Sequence, residues 1–247
     1  MAARYTAAMQ KLFSHLDLLP LADWLALIGF FVAWVGYAQF AKRRAQQQGS
    51  LLAITNQVRR RWMMQVTFRE VRVIDGVVVQ SLASSPSFFA STTILILGGL
   101  LAALGASDKA SELVKELPFA AATSNLVFDL KLVLLTAIFI YAFFRFTWSM
   151  RQYTFGALLV ASAPEAEQYE RDKLDRDSFA DRAGRVVGMA AETFNDGLRA
   201  YYLAFAAIAW FFSPWAMLAA TVGVIYILYQ REFHSEVLDV LRDAVRH

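Results

Sequence analysis

AYYLAFAAIAWFFSPWAMLAATVGVIYILY, residues 200 to 229, is the stretch on which the fold turns. A single helix of this length would reach about 45 Å, whereas the hydrocarbon core of a bilayer is about 30 Å thick. The run therefore has to break. Ser213-Pro214 lies near its middle. Proline lacks a backbone donor and clashes inside a helix, but it suits the first turn of a new one, where a preceding serine can cap it. The reading is two spans, about 197 to 212 and 214 to 230. One kinked, strongly tilted helix is the alternative.

Three other runs are long and apolar enough to cross a bilayer alone, at about 21 to 40, 87 to 106 and 130 to 148. Pro20, Pro86 and Pro118 precede them, so each proline is read as marking a start, and Pro164 as opening a charged helix. The runs explain a composition of 57% hydrophobic and 18% charged residues, against about 45–50% and about 25% in soluble domains. Such a chain is not disordered, collagen-like or low-complexity. It is read as one all-α polytopic membrane domain over 1 to 247 with about five spans. Helical cytoplasmic segments fill 41 to 86 and 149 to 196.

Basic residues set the expected orientation, because short loops rich in Lys and Arg stay in the cytoplasm. Lys42, Arg43, Arg44, Arg59, Arg60, Arg61, Arg69 and Arg72 follow the first span, and Arg151, Arg171, Lys173, Arg176, Arg182 and Arg185 follow the third. Only Lys109 and Lys115 separate the second and third. The N-terminus is thus expected outside a bacterial inner membrane. With five spans the tail, carrying Arg231, Arg242 and Arg246, returns to the cytoplasm. Met9, Leu12, Phe13 and Leu16 recur at helical spacing and predict an amphipathic helix before the first span.

After the third span, Ser162-Ala163-Pro164-Glu165 fits a capping box with Ser162 as cap. Glu167 with Arg171, Asp172 with Arg176 and Asp181 with Arg185 are i, i+4 pairs that suit an exposed helix. From Phe179 the apolar positions Ala183, Val187, Ala190, Phe194, Leu198, Tyr202 and Phe205 predict one long helix running into the fourth span. Another side of that helix carries Gly188, Glu192, Asn195 and Arg199. Polar residues at a membrane boundary are costly unless they face protein or water, so this stripe is either an interfacial anchor or a functional surface. In the third span Arg145 lies a turn inside Trp148, where it either lines an anion path or pairs with Glu192 or Asp196.

Residues 51 to 64 predict a helix carrying Asn56 and the run Arg59-Arg60-Arg61 beside Trp62. One aromatic beside a basic run is no stacking platform for nucleic acid, and attraction to anionic lipids explains it more simply. With no cysteine and only His15, His234 and His247 as imidazoles, disulfides, iron–sulfur clusters and thiolate zinc sites are excluded. The chain also has no nucleotide-binding glycine loop, zinc-protease motif or nucleophile elbow. No catalytic residue, cofactor or metal site is assigned, and the chain is not read as an enzyme.

Several short motifs combine into a family likeness. They are Asn56, Arg60 and Trp62; Val79-Gln80-Ser81-Leu82; Phe89-Ala90-Ser91-Thr92-Thr93; Arg145-Phe146; Arg151-Gln152-Tyr153; Gly197 to Tyr202; Trp210 to Pro214; and Leu228-Tyr229. Together they resemble the family catalogued as domain of unknown function 599, over about 20 to 235. The resemblance implies a multi-pass membrane protein and no particular reaction. From the residues, Asn56, Arg60, Arg145, Glu192, Asn195 and Arg199 form a candidate polar vestibule suited to anions, in a small oligomeric channel or transporter-like protein. The alternative is a scaffold, an accessory subunit of a membrane complex, or a lipid-binding protein. Expected partners are anionic lipids and further copies of the chain.

Overall fold

The break at Ser213-Pro214 is present in the computed structural model, which describes residues 19–48, 50–115 and 124–246. A helix ends at Ile208, a 3-10 turn covers Ala209–Phe211, and a new helix starts with Pro214 in its first turn. The Ser213 hydroxyl accepts from the Ala216 amide at 2.9 Å. Proline supplies the helical φ and loses only a donor that has no partner in the first turn. The two helices fold back as an antiparallel hairpin, with Arg199 beside Glu232 and Tyr202 beside Arg231.

In chain order the helices are α1 (Leu21–Gln48), α2 (Leu51–Val66), α3 (Val73–Gly105), α4 (Ser107–Lys115), α5 (Asn125–Ala161), α6 (Ala166–Arg171), α7 (Arg176–Ile208), α8 (Pro214–Phe233) and α9 (Glu236–Arg246). No strand occurs among the described residues. Helix α5 is central, packing along α7 on one side and α3 on the other, while α1 and α8 pair beside α7. The larger core joins Phe30, Ala142, Phe146, Leu203, Trp210 and Met217. A second cluster, with Met63, Val66, Tyr153, Ala183 and Val187, joins α2 to the far halves of α5 and α7. The amphipathic helix expected at Met9 to Leu16 and the start expected at Pro118 lie outside the described residues.

Among the described residues, three helices are long and apolar enough to cross a membrane: Leu21–Arg44, Val73–Gly105 and Asn125–Ala161. Helices α7 and α8 do not join them: the apolar half of α7 still carries Glu192, Asp196 and Arg199, and α8 ends on Gln230, Arg231 and Glu232. The long helix expected from Phe179 onward is present as α7, although Phe205 points outward.

Two helix starts differ from expectation. Pro86 does not open α3 but lies buried within it. The helix begins at Val73, where the Asp75 carboxylate, 1% exposed, accepts from Trp62 Nε1 at 2.7 Å and from Arg69. A carboxylate in the first turn also favours the positive end of the helix dipole. Packing along α5 offsets the proline, whose penalty is about 3 kcal/mol. The second difference is the cap of α6, which is Glu165 with Gln168 in a capping box rather than Ser162. Pro164 then precedes the cap, and its carbonyl accepts from Arg72.

The charges expected to pair at i, i+4 choose other partners. Arg171 meets Asp172, Arg176 meets Glu170, and Asp181 meets Arg60. The chain turns between α6 and α7, with Lys173 at φ 49°, so Asp172 and Arg176 do not share a helix. The Arg176 guanidinium instead lies between the Phe68 and Tyr169 rings, 4.2 and 4.6 Å from their centroids, and fastens that turn to the end of α2.

Candidate functional site

Helix α2 crosses α7 where α7 presents Gly184 and Gly188. A Cβ on Gly184 would stand 3.0 Å from the Arg60 Cα, and one on Gly188 would stand 2.8 Å from Asn56 Oδ1. Glycines one turn apart thus admit the backbone of α2 where any side chain would hold it away. Beside this crossing, α2, α7, α1, α8 and one edge of α3 enclose a cleft of about 830 Å³.

The cleft is basic. Lys42, Arg59, Arg199 and Arg231 line it against the carboxylates of Glu192 and Glu232. Lys42 Nζ is 3.9 Å from Glu192 Oε1, a loose surface pair. Arg199 is held firmly, donating from Nε to Glu232 Oε1 at 2.9 Å and from Nη1 to Asp196 Oδ1 at 3.1 Å. Asp196 also accepts from Arg145, and Glu232 accepts from the Tyr37 hydroxyl at 3.0 Å. The chain Arg145, Asp196, Arg199, Glu232, Tyr37 joins α5, α7, α8 and α1 as a floor with balanced charge.

Arg59 and Arg231 are different. Arg59 Nη1 donates to Asn56 Oδ1 at 2.8 Å and Thr55 Oγ1 at 3.0 Å, both neutral acceptors on its own helix. Burial lowers the affinity of this guanidinium for its proton. Arg231 Nη1 donates to the Tyr202 hydroxyl at 2.6 Å and lies over the same ring. Neither forms an ion pair with a described carboxylate.

Of the six vestibule residues expected, Asn56, Glu192, Asn195 and Arg199 line the cleft. Arg145 does not line it; it pairs with Asp196 rather than Glu192, and Asp196 in turn pairs with Arg199. Arg60 does not line the cleft; it lies on an exposed face of α2 with Asp181 and Asp177, the latter at 3.2 Å. The residues that sequence reasoning missed are Lys42, Arg59, Arg231 and Glu232. Arg59 lies one turn from Asn56, but that spacing applies to Arg60 as well, and only the crossing partner separates them.

The far end of the bundle carries a second polar cluster. Trp210 Nε1 donates to Asp23 Oδ1 at 2.6 Å. Lys131, 1% exposed, places its ammonium 5.5 Å from the Trp210 ring and 5.6 Å from that of Phe211. Asp23 is a carboxylate whose charge acts on it.

The model of the protein family of unknown function DUF599 matches residues 25–237. The chain belongs to this family. The matched region of the DUF599 protein holds every cleft-lining residue from Ala41 to Glu232, and it ends near the start of α9. No curated protein and no solved structure matches the chain. Membership together with three long apolar helices makes this a membrane protein of the DUF599 family.

Proposed function

We propose that this DUF599 protein is a transporter-like carrier of anions, crossing the bacterial inner membrane five times with its cleft open to the cytoplasm. The five-span reading rests on a common register. Asp23 to Lys42, Ser85 to Gly105, Asn125 to Arg145, Glu192 to Trp210 and Pro214 to Glu232 each amount to about 27–30 Å of helix, close to one hydrocarbon thickness. The basic run of α2 stands at the cleft end, which orients that end inward and the N-terminus outward.

One observation carries the functional reading: the cleft has more cations than carboxylates and ends on a neutralised ion-pair floor. A blind basic cleft favours a carrier with a closed far side over an open pore. In proteoliposomes, the wild-type protein is expected to move at least one of a panel of anions. Arg231→Gln is expected to change that flux by about tenfold, the effect of losing a charge-assisted contact of roughly 1.4 kcal/mol or more, with assembly unchanged on size exclusion. Absence of flux from folded wild-type protein across the panel would sink the proposal.

A different observation favours the scaffold reading. Phe68, Val71, Val73 and Ile74 are exposed together where α2 passes to α3, about 18 Å of helix beyond Ser85. That reading predicts co-purification with a larger assembly. The outer face of α3, with Leu95 and Leu101 exposed and open space over Gly98 and Gly99, offers room for a second copy. Native mass measurement in mild detergent tests both.

A further inference from the structure

The cleft has an opening whose walls are as informative as its cations. Helices α1 and α3 both flank it, through Ala41 and Lys42 on one and Ser81, Leu82 and Ser85 on the other, yet they do not pack against each other. In the five-span register these residues lie at the level where hydrocarbon meets headgroups. Among the hydroxyls and amides that share the lining stand five leucines, Leu51, Leu52, Leu82, Leu198 and Leu228. A cleft built only for a hydrated inorganic ion has no use for five leucines, because apolar walls cannot replace its water shell.

The cations also discriminate between anions. Glu192 is engaged with Lys42, and Glu232 is engaged with Arg199 and Tyr37. This leaves two guanidinium groups, on α2 and α8, facing the cleft without carboxylate partners. One fork of N–H donors satisfies a planar carboxylate, whereas a tetrahedral phosphate offers oxygens in several directions and suits donors from separate helices. Asn195, on α7, adds a side-chain amide to the lining.

We propose that the cleft holds the phosphate headgroup of an anionic amphiphile, with Arg59 and Arg231 on the phosphate and the apolar chain leaving between α1 and α3. The inference rests on the carrier reading for its membrane level and names the class of ligand for that same cleft. Loss of favourable solvation at Arg59, whose guanidinium is shifted downward by burial, is then offset when the phosphate arrives.

The test uses full-length protein in phosphatidylcholine nanodiscs, titrated separately with dioctanoyl phosphatidic acid, dioctanoylglycerol and glycerol 3-phosphate, with binding read by native mass spectrometry. The phosphatidic acid is expected to bind about tenfold more tightly than either fragment, since each lacks one half of the recognition. Arg59→Gln and Arg231→Gln should each weaken it about tenfold, the scale of one charge-assisted hydrogen bond. Arg43→Gln, at an exposed position outside the cleft, should not. The two cleft variants are on different helices, so a folding failure in one leaves the other as the test.

Glycerol 3-phosphate binding as tightly as the lipid would identify a free phosphate ligand and overturn the amphiphile. Unchanged binding in a folded cleft variant, or an equal loss in Arg43→Gln, would overturn the assigned site. Liposome flux separates this from the carrier reading: binding without flux keeps the site and removes the carrier, and flux without binding does the reverse.

Discussion

The two ends of the helix bundle both bury charge, and they do it in opposite ways. At the Asp23 end a carboxylate, an indole N–H and an ammonium close on one another, with Asp23 6% and Lys131 1% exposed. At the cleft end the Arg145-to-Tyr37 chain balances its charges while leaving Arg145 Nε without a partner, and beside it stand Arg59 and Arg231 with only neutral hydrogen-bond partners. A buried charge with its partner describes how helices are held together. Arg59 is a partly desolvated charge without one, and Arg231 is an exposed one. The contrast separates charges that tie helices together from cleft cations that no described carboxylate balances.

The largest test breaks the sealed end. Asp23→Ala removes the acceptor of Trp210 and a countercharge of Lys131. It should destabilise the protein by about 3 kcal/mol in reversible unfolding from mixed micelles. Ligand binding should survive in the fraction that remains folded. At the cleft floor Asp196→Ala should be smaller, about 2 kcal/mol, because Arg145 keeps contact with water and Arg199 keeps Glu232. Smallest of all is Arg59→Gln, which should shift stability by less than about 0.5 kcal/mol, since no ion pair is lost and the desolvated charge disappears. A loss as large as that of Asp23→Ala would erase the distinction between the two ends.

Much of this was legible in the amino acids, and the failures have physical causes. Ser213-Pro214 spoke clearly because span length, capping and proline geometry all pointed to one break. Pro86 misled because the same proline chemistry is outweighed when a helix is supported along its length by a neighbour, here α5. The ion pairs around Arg171 and Arg176 were unreadable locally, because their partners depend on a turn at Lys173. Helical spacing from Asn56 does not separate Arg59 from Arg60, and the family resemblance, carried by Asn56, Arg60 and Trp62, points to Arg60. Gly184 then packs under the Arg60 backbone and turns that residue outward, a fact that belongs to α7 rather than to the basic run. Lys42, Arg231 and Glu232 sit near helix ends, where basic and acidic residues ordinarily serve as anchors.

Helices α3 and α5 run for about 50 and 55 Å, well beyond one hydrocarbon thickness, and no loop interrupts either. The projecting part of the protein is therefore a stiff continuation of the bundle and not a body on a tether. With α7 also unbroken past the crossing with α2, these rods act as levers: a tilt at one end is delivered to the other with little lost in bending. The break between α7 and α8 at Phe212 and Ser213 is where that pair of rods is jointed.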